Sequence, residues 1–244
     1  MPIGHAFVEL ESVDSTNNYA MALAKEGRAG HGTLVFAYEQ RAGKGQRGRR
    51  WESKPGENIV LSAVLEPVAF PAVSTFGLSV AVALACRDFF IRYAGPDGVS
   101  VKWPNDLYWN DRKAGGILIE NQFRGSTWLW SIAGMGININ QVQFPPAARN
   151  PVSLKQITGR TFDVPALARE LGACLDRRYA QWEAGEPLID AYNAVLYRRG
   201  EEVQLKKDSA VFRTRLEGVT PQGQLLTRDV VERRFSFGEI DWVI

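Results

Sequence analysis

The sequence predicts an α+β protein with a β-rich tail. Three observations carry this. Apolar, β-branched runs recur through the first part of the chain, bounded by Gly, Pro and Asn. Two long stretches space their apolar residues as helices do. After Arg199-Gly200 the texture changes to short alternating runs broken by turn signals. With 244 residues the chain can bury a sizeable core. We expect a main unit over residues 1–198 and a small C-terminal barrel over 199–244.

Phe7 to Val13 is the first predicted strand. "DSTNNYAMALAKEG" then reads as a helix, with Asp14 or Ser15 to cap its start and Gly27 to end it; Ala20, Leu23 and Ala24 share one face. "GTLVFAYEQ" (32–40) and "NIVLSAVLEP" (58–67) are strands, joined by the glycine-rich segment 41–51. Residues 73–93 form a helix apolar nearly all round, hence buried. "VSVKWPNDLYW" (99–109) is a strand interrupted at Pro104 by a polar turn. "KAGGILIENQF" (113–123) and "TWLWSIAGMGINI" (127–139) are antiparallel strands around the turn Arg124-Gly125-Ser126. After a proline-bearing loop, Phe162 to Glu186 is the second long helix. Asp163 is its candidate cap, and Leu167, Leu171, Cys174, Leu175 and Trp182 lie on its buried side. In the tail, turns are expected at Lys207-Asp208, Pro221-Gln222-Gly223 and Gly238.

Composition narrows the function. There are 29 basic and 27 acidic side chains, a net charge of +2, which argues against a dedicated nucleic-acid binder. The excess is local: residues 41–54 hold six Lys or Arg and one Glu. Two cysteines are too few for a disulfide framework or zinc site, and both sit in helix-like apolar stretches, as buried free thiols would in a reducing cytosol. His5 and His31 alone leave little material for a Ser-His-Asp or Cys-His arrangement. No signal-peptide pattern or membrane-length apolar run is evident, so a cytoplasmic protein with no membrane partner is expected.

"RAGKGQRGRRW" (41–51) carries G-x-G-x-x-G. A dinucleotide fingerprint needs its last glycine to open a helix, but here "RRWESKPGEN" leads to another strand. A nucleic-acid arm lacks support from the overall charge. A plain solvated basic loop does not account for three glycines interleaved with cations. Glycines let backbone approach a ligand closely, so the mixture describes a clamp for a phosphate or acyl phosphate.

Three further stretches carry a resemblance: "DSTNNYA" (14–20), "KWPNDLYWNDRKAGGILIE" (102–120) and "GMGININ" (134–140). Together with the Gly43 loop, in this order and spacing, they resemble the biotin protein ligases, also called biotin–[acetyl-CoA carboxylase] ligases. The resemblance implies a mixed, mostly antiparallel sheet with helices, of the class II synthetase-like biotin/lipoate ligase type, followed by an SH3-like barrel. It implies that biotin and ATP give biotinyl-5′-AMP, whose acyl group passes to a lysine of apo biotin carboxyl carrier protein.

By the same resemblance Ser15, Thr16, Asn17 and Gln40 contact biotin, and Lys44, Gly45 and Gln46 close over it. Lys113 is the central cation, holding carboxylate and α-phosphate together, and Gly115 and Gly116 beside it contact biotin. Arg47 and Arg49 assist it as phosphate contacts on the ATP, and Trp51 packs over the adenylate. Lys102, Asn105 and Asp106 face the nucleotide, with Asp106 the expected Mg²⁺ ligand. Gly136 and Asn138 face the adenine or ribose. The family loop is commonly G-R-G-R-x-G-R-x-W; here Lys44 and Gln46 replace its first two arginines, so weaker retention of biotinyl-AMP is expected. Longer relatives carry an N-terminal winged helix that represses biotin genes; no repressor activity is expected here. A lipoate–protein ligase and a non-catalytic domain binding biotin or carrier are the alternatives. A homodimer stays open, since some relatives pair edge to edge.

Overall fold

A computed structural model describes residues 1–67 and 75–243. Its centre is a seven-stranded sheet built from β1 (Ala6–Val13), β2 (Thr33–Gln40), β3 (Asn58–Leu65), β4 (Val99–Lys102), β5 (Asp106–Trp109), β6 (Arg112–Arg124) and β7 (Thr127–Asn138). Their order is β1-β2-β3-β7-β6-β5-β4. Only β1–β2 is parallel; the other pairs are antiparallel. The parallel pair needs a crossover, supplied by helix α1 (Thr16–Lys25). The proline-interrupted strand resolves into the β4–β5 hairpin, whose turn holds Trp103, Pro104 and Asn105.

Strand alternation gives the sheet two different faces. Leu34, Phe36, Ile59, Leu61, Ala63 and Met135 pack under two long helices, α2 (Thr75–Ala94) and α4 (Val164–Glu183). Residues 73 and 74, expected to begin the first of these, lie outside the described residues. On the other face, Val35, Val64 and Ile132 cover α1 through Ala20 and Leu23. Ser15, rather than Asp14, caps α1, its hydroxyl accepting from Asn18 N at 3.5 Å. Asp163 caps α4 as expected, and the expected residues Leu167, Leu171, Cys174, Leu175 and Trp182 are buried. That helix stops at Glu183, before Gly185 in the left-handed region (φ 79°).

Two short helices went unread in the sequence: α3 (Leu154–Thr158) and α5 (Leu188–Ala194). A capping box between Ser153 and Gln156 starts α3. Beyond α5, residues 195–197 close the outer edge of β4: Val101 N donates to Val195 O and Tyr197 N to Val101 O, both at 2.9 Å. Cys86 and Cys174 are buried free thiols, and burial pushes the Cys86 thiol upward. Among the described residues no helix is long and apolar enough to cross a membrane.

The tail forms a five-stranded antiparallel sheet, consistent with an SH3-like unit. It comprises β8 (Glu202–Lys207), β9 (Ala210–Val219), β10 (Leu225–Arg228), β11 (Glu232–Phe235) and β12 (Asp241–Trp242), in the order β11-β10-β9-β8-β12. Its core residues Val203, Leu205, Leu216 and Leu225 are continuous with the main core. The β4–β5 turn is gripped from both sides. Trp103 Nε1 donates to Gly223 O (3.0 Å), and Trp242 Nε1 donates to Trp103 O (3.1 Å).

Candidate active site

A cavity of about 1080 Å³ opens on the α1 face of the large sheet, roomy by the ~300–1,000 Å³ standard of small-molecule sites. Its floor is glycine. Gly116 and Gly136 are register partners on β6 and β7, and Gly134 follows two residues before on the same face. A Cβ on Gly136 would lie 2.6 Å from the Trp51 indole, and one on Gly134 would lie 2.3 Å from Asn17 Oδ1. Only bare backbone lets these two side chains lie against the sheet. Gly115 belongs to the opposite face, where its Cβ would meet Ile137 Cδ1 at 2.7 Å. It does not line the cavity, because neighbouring strand residues point to opposite sides. The other expected site residues all line it.

At one end, the start of α1 forms a closed polar circuit. Gln40 Oε1 accepts from Thr16 N (2.8 Å) and Thr16 Oγ1 (3.1 Å). Ser62 Oγ lies 2.8 Å from Thr16 Oγ1 and 2.6 Å from Asn17 Oδ1. Asn17 Nδ2 donates to Leu118 O (3.2 Å) and Glu120 Oε2 (2.8 Å). Asn17 therefore spends both amide hydrogens on the protein and braces the wall. Among the described residues Gln40 Nε2 and the Ser15 hydroxyl proton have no acceptor, which leaves both to donate to a ligand.

Residues 43–51 fold as a tiny hairpin over the cavity. Gly45 N donates to Arg49 O (2.7 Å) and Trp51 N to Gly43 O (3.0 Å). Gln46–Gly48 is a single 3-10 turn in which Arg47 (φ 56°) and Gly48 (φ 74°) are left-handed. Gly43 is required for closure, since a Cβ there would strike Trp51 O at 2.3 Å. Two ion pairs hold the hairpin: Lys44 Nζ to Glu120 Oε1 (3.3 Å) and Arg47 Nη1 to Asp241 Oδ1 (3.2 Å). Arg49 has no ion-pair partner among the described residues and is exposed. Trp51 Nε1 is a buried donor without a partner among the described residues.

The middle of the cavity holds Lys113 Nζ and Asp106 Oδ1 at 2.6 Å. Register explains the meeting, because β5 and β6 pair across a bulge that sets Tyr108 opposite Lys113. Asn105 braces the same turn, its Nδ2 donating to Ile117 O at 2.9 Å. Asn138 Nδ2 donates to Val152 O (3.0 Å) and Lys113 O (3.3 Å), tying the end of β7 to the strand that carries Lys113.

Lys102 is buried, with Nζ over the rings of Tyr108 (5.2 Å) and Trp242 (4.9 Å). Desolvation brings it down to about 8, and Lys113, Arg49 and Arg149 push the same way against Asp106. Tyr108 is pushed up by burial and then by Asp106. Ser62, Glu120, Asp241, Trp242 and Arg149 had no sequence signal. Among the described residues no cluster of three or more His, Cys, Asp or Glu could hold a metal. Asp106, with one oxygen on Lys113, offers a single carboxylate to a cation that brings other oxygen ligands with it.

The arrangement joins a neutral polar pocket, a central cation–carboxylate pair and a cation-rich wall. This suits an elongated ligand with a neutral head and an anionic tail, set beside a polyphosphate. Residues 9–138 match the Biotin/lipoate A/B protein ligase family. The chain is 32% identical to the biotin–[acetyl-CoA-carboxylase] ligase of Paracoccus denitrificans, covering 92% of this chain and 95% of that one. It is 29% identical to the bifunctional ligase/repressor BirA of Bacillus spizizenii, covering 96% and 73%. Biotin protein ligase from Aquifex aeolicus, solved in complex with biotin and ATP, superposes with a TM-score of 0.80 at 24% identity, covering 97% of this chain and 98% of that one.

Proposed function

The chain belongs to the biotin/lipoate A/B protein ligase family, and on that premise we propose that it ligates biotin to a carboxylase carrier protein by way of biotinyl-5′-AMP. The observation that carries this reading is the Lys113–Asp106 pair, 2.6 Å apart, standing between the Gln40 pocket and the cation wall.

Biotin lies along the glycine floor, its ureido head against Ser15, Thr16 and Gln40, beneath Lys44, Gly45 and Gln46. Its carboxylate reaches Lys113. A carboxylate oxygen attacks the α-phosphorus, the bond to the bridging oxygen of the β-phosphate breaks, and pyrophosphate leaves with the electron pair. The chain supplies no nucleophile, so its contribution is alignment and charge. Lys113 neutralises the carboxylate and α-phosphate as they approach. In the second step it polarises the acyl carbonyl toward the incoming lysine amine. The C–N bond forms as the acyl–phosphate C–O bond breaks, AMP leaves with the electron pair, and the amine proton passes to solvent. Arg47 and Arg49 supply fork-shaped donors to phosphate oxygens. Trp51, over Gly116 and Gly136, offers its unpartnered Nε1 on the adenylate side. Lys102, Asn105, Asp106 and Asn138 line the nucleotide end. Mg²⁺ would be held by Asp106 with phosphate oxygens completing its shell, where it would offset polyphosphate charge. The near balance of 29 basic and 27 acidic residues supports a reading without a nucleic-acid partner.

The test is incubation with biotin, ATP, Mg²⁺ and an apo carrier domain, followed by intact mass of the carrier. We expect one added biotinyl group, absent without ATP and lost in Lys113→Ala. A gain with lipoate but not with biotin would make it a lipoate ligase. No gain with either would leave a binding domain.

A further inference from the structure

We propose that Arg149 is a further nucleotide-binding residue, gripping the β- and γ-phosphates that depart as pyrophosphate. The proposal rests on the ligase reading above and extends it to a residue outside the glycine-cation loop and the β5–β6 hairpin.

The placement comes from how the loop after β7 is tied down. Asn150 turns in the left-handed region (φ 42°), and the chain then runs beside Lys113 as a short parallel bridge. Lys113 N donates to Asn150 O (2.8 Å), and Val152 N to Lys113 O (2.9 Å). Arg112 Nη2 donates to Pro151 O (2.6 Å), and Asn150 Nδ2 to Asp111 O (2.9 Å). The segment is thus fastened to the strand that carries the central cation. Arg149, the residue just before the bridge, lines the cavity next to it. It lies near enough to Lys102 and Tyr108 for its charge to act on both.

Its electrostatic state is shared with Arg49 and differs from that of its other cationic neighbours. Lys44, Arg47 and Lys113 each rest on a carboxylate, and Lys102 rests between two rings. Among the described residues Arg149 has no ion-pair partner, and Asp111 close by is already held by Tyr197 and Arg198. A guanidinium cannot shed its charge and presents a fork that matches two phosphate oxygens. Lys102 and Lys113 are more deeply set, whereas Arg149 is exposed at the mouth. The part of the nucleotide that must reach solvent after the first step is pyrophosphate, and an exposed, unpaired guanidinium on the segment fastened beside Lys113 suits it. The α-phosphate stays behind with Lys113.

The two half-reactions separate this role from others. Arg149→Ala and Arg149→Lys would be compared with wild type for ATP KM in adenylation. They would also be compared for pyrophosphate KM in the reverse reaction, and for transfer from purified biotinyl-AMP to apo carrier. We expect Arg149→Ala to raise the ATP and pyrophosphate values about tenfold, as for one lost charge-assisted contact of ~1.4 kcal/mol. Transfer from biotinyl-AMP, where no pyrophosphate is present, should be unchanged, and Arg149→Lys should fall between. Unchanged pyrophosphate and ATP values would overturn the proposal. So would a loss confined to the transfer step or to carrier KM, which would place Arg149 on the α-phosphate or the carrier. Calorimetric binding of inorganic pyrophosphate needs no turnover. A wild type that binds pyrophosphate through Arg149 yet makes no biotinyl-AMP would refute the ligase reading and leave the anion site standing.

Discussion

Replacing Gly134 with alanine should damage the biotin end of the cavity through a single methyl group. The added Cβ would stand 2.3 Å from Asn17 Oδ1, where ordinary contact begins at 3.4 Å, so the amide must retreat by about 1.1 Å (3.4 minus 2.3). Asn17 has nowhere easy to go, since it is buried and bonded to Ser62 Oγ, Leu118 O and Glu120 Oε2. Moving Oδ1 that far breaks the 2.6 Å contact with Ser62 and leaves a buried polar group short of a partner, at ~1–3 kcal/mol. Overpacking adds a further ~1–3 kcal/mol. The total of about 2–6 kcal/mol corresponds to a fall in Tm of roughly 4–24 °C for a chain of this size. Biotin affinity should drop at least about tenfold, because Thr16 and Gln40 share the same circuit. Thermal unfolding and biotin calorimetry on Gly134→Ala, with Asn17→Ala added as a second substitution, would check this. The pair should lose less than the sum, since removing the amide removes the collision. A Tm within ~2 °C of wild type together with unchanged biotin binding would refute the geometry.

Three other outcomes follow from the site. Lys102→Met should stabilise the fold by about 1–3 kcal/mol while raising ATP KM, because the lysine is held near 8 against an ordinary 10.5. The depressed value means the unfolded chain binds more protons between pH 8 and 10.5, so wild-type stability should gain on the variant as pH rises through that window; a constant gap would refute this. Gln46→Arg should slow release of biotinyl-AMP, read by trapping free intermediate; equal rates would sink the link between loop charge and retention. His31, lowered from 6.5 first by burial, accepts from Glu66 N at Nδ1 (3.2 Å). Its depressed value makes its stabilising effect full above pH 6.5 and lost as pH falls below it, so His31→Gln should flatten the acid limb of a stability–pH curve. An unaltered limb would place acid sensitivity elsewhere.

The elements readable from sequence were those with their own local signature. The first helix announces itself by Ser15 and the spacing of Ala20 and Leu23, and α4 by Asp163, Leu167, Leu171 and Leu175. The two short helices span five and seven residues, too few to show a period. The S-x-x-Q of Ser153 to Gln156 is the local signal for α3. For the site, "STN", the glycine-cation loop, "KWPND" and "RKAGG" sit close together because each is one stretch of backbone beside the same floor. Gly115 and Gly116 look alike in sequence, while the pleat sends them to opposite faces, so only Gly116 lines the cavity. Glu120, Ser62 and Asp241 were not legible for a different reason. Their partners are 76, 45 and 194 residues away, and no local pattern encodes a contact made only by the finished topology.

The three parked cations have a consequence for which anions the cavity accepts. Lys44, Arg47 and Lys113 each sit on a carboxylate from a different part of the chain: Glu120 on β6, Asp241 on β12 and Asp106 on β5. At rest, therefore, the protein carries its own counterions. A lone orthophosphate can displace only one carboxylate at a time, exchanging one ion pair for another with little gain. A long ligand whose charges and polar groups run the length of the floor recruits several cations in one event. At these three cations length itself becomes a selection criterion, which a small anion meets poorly.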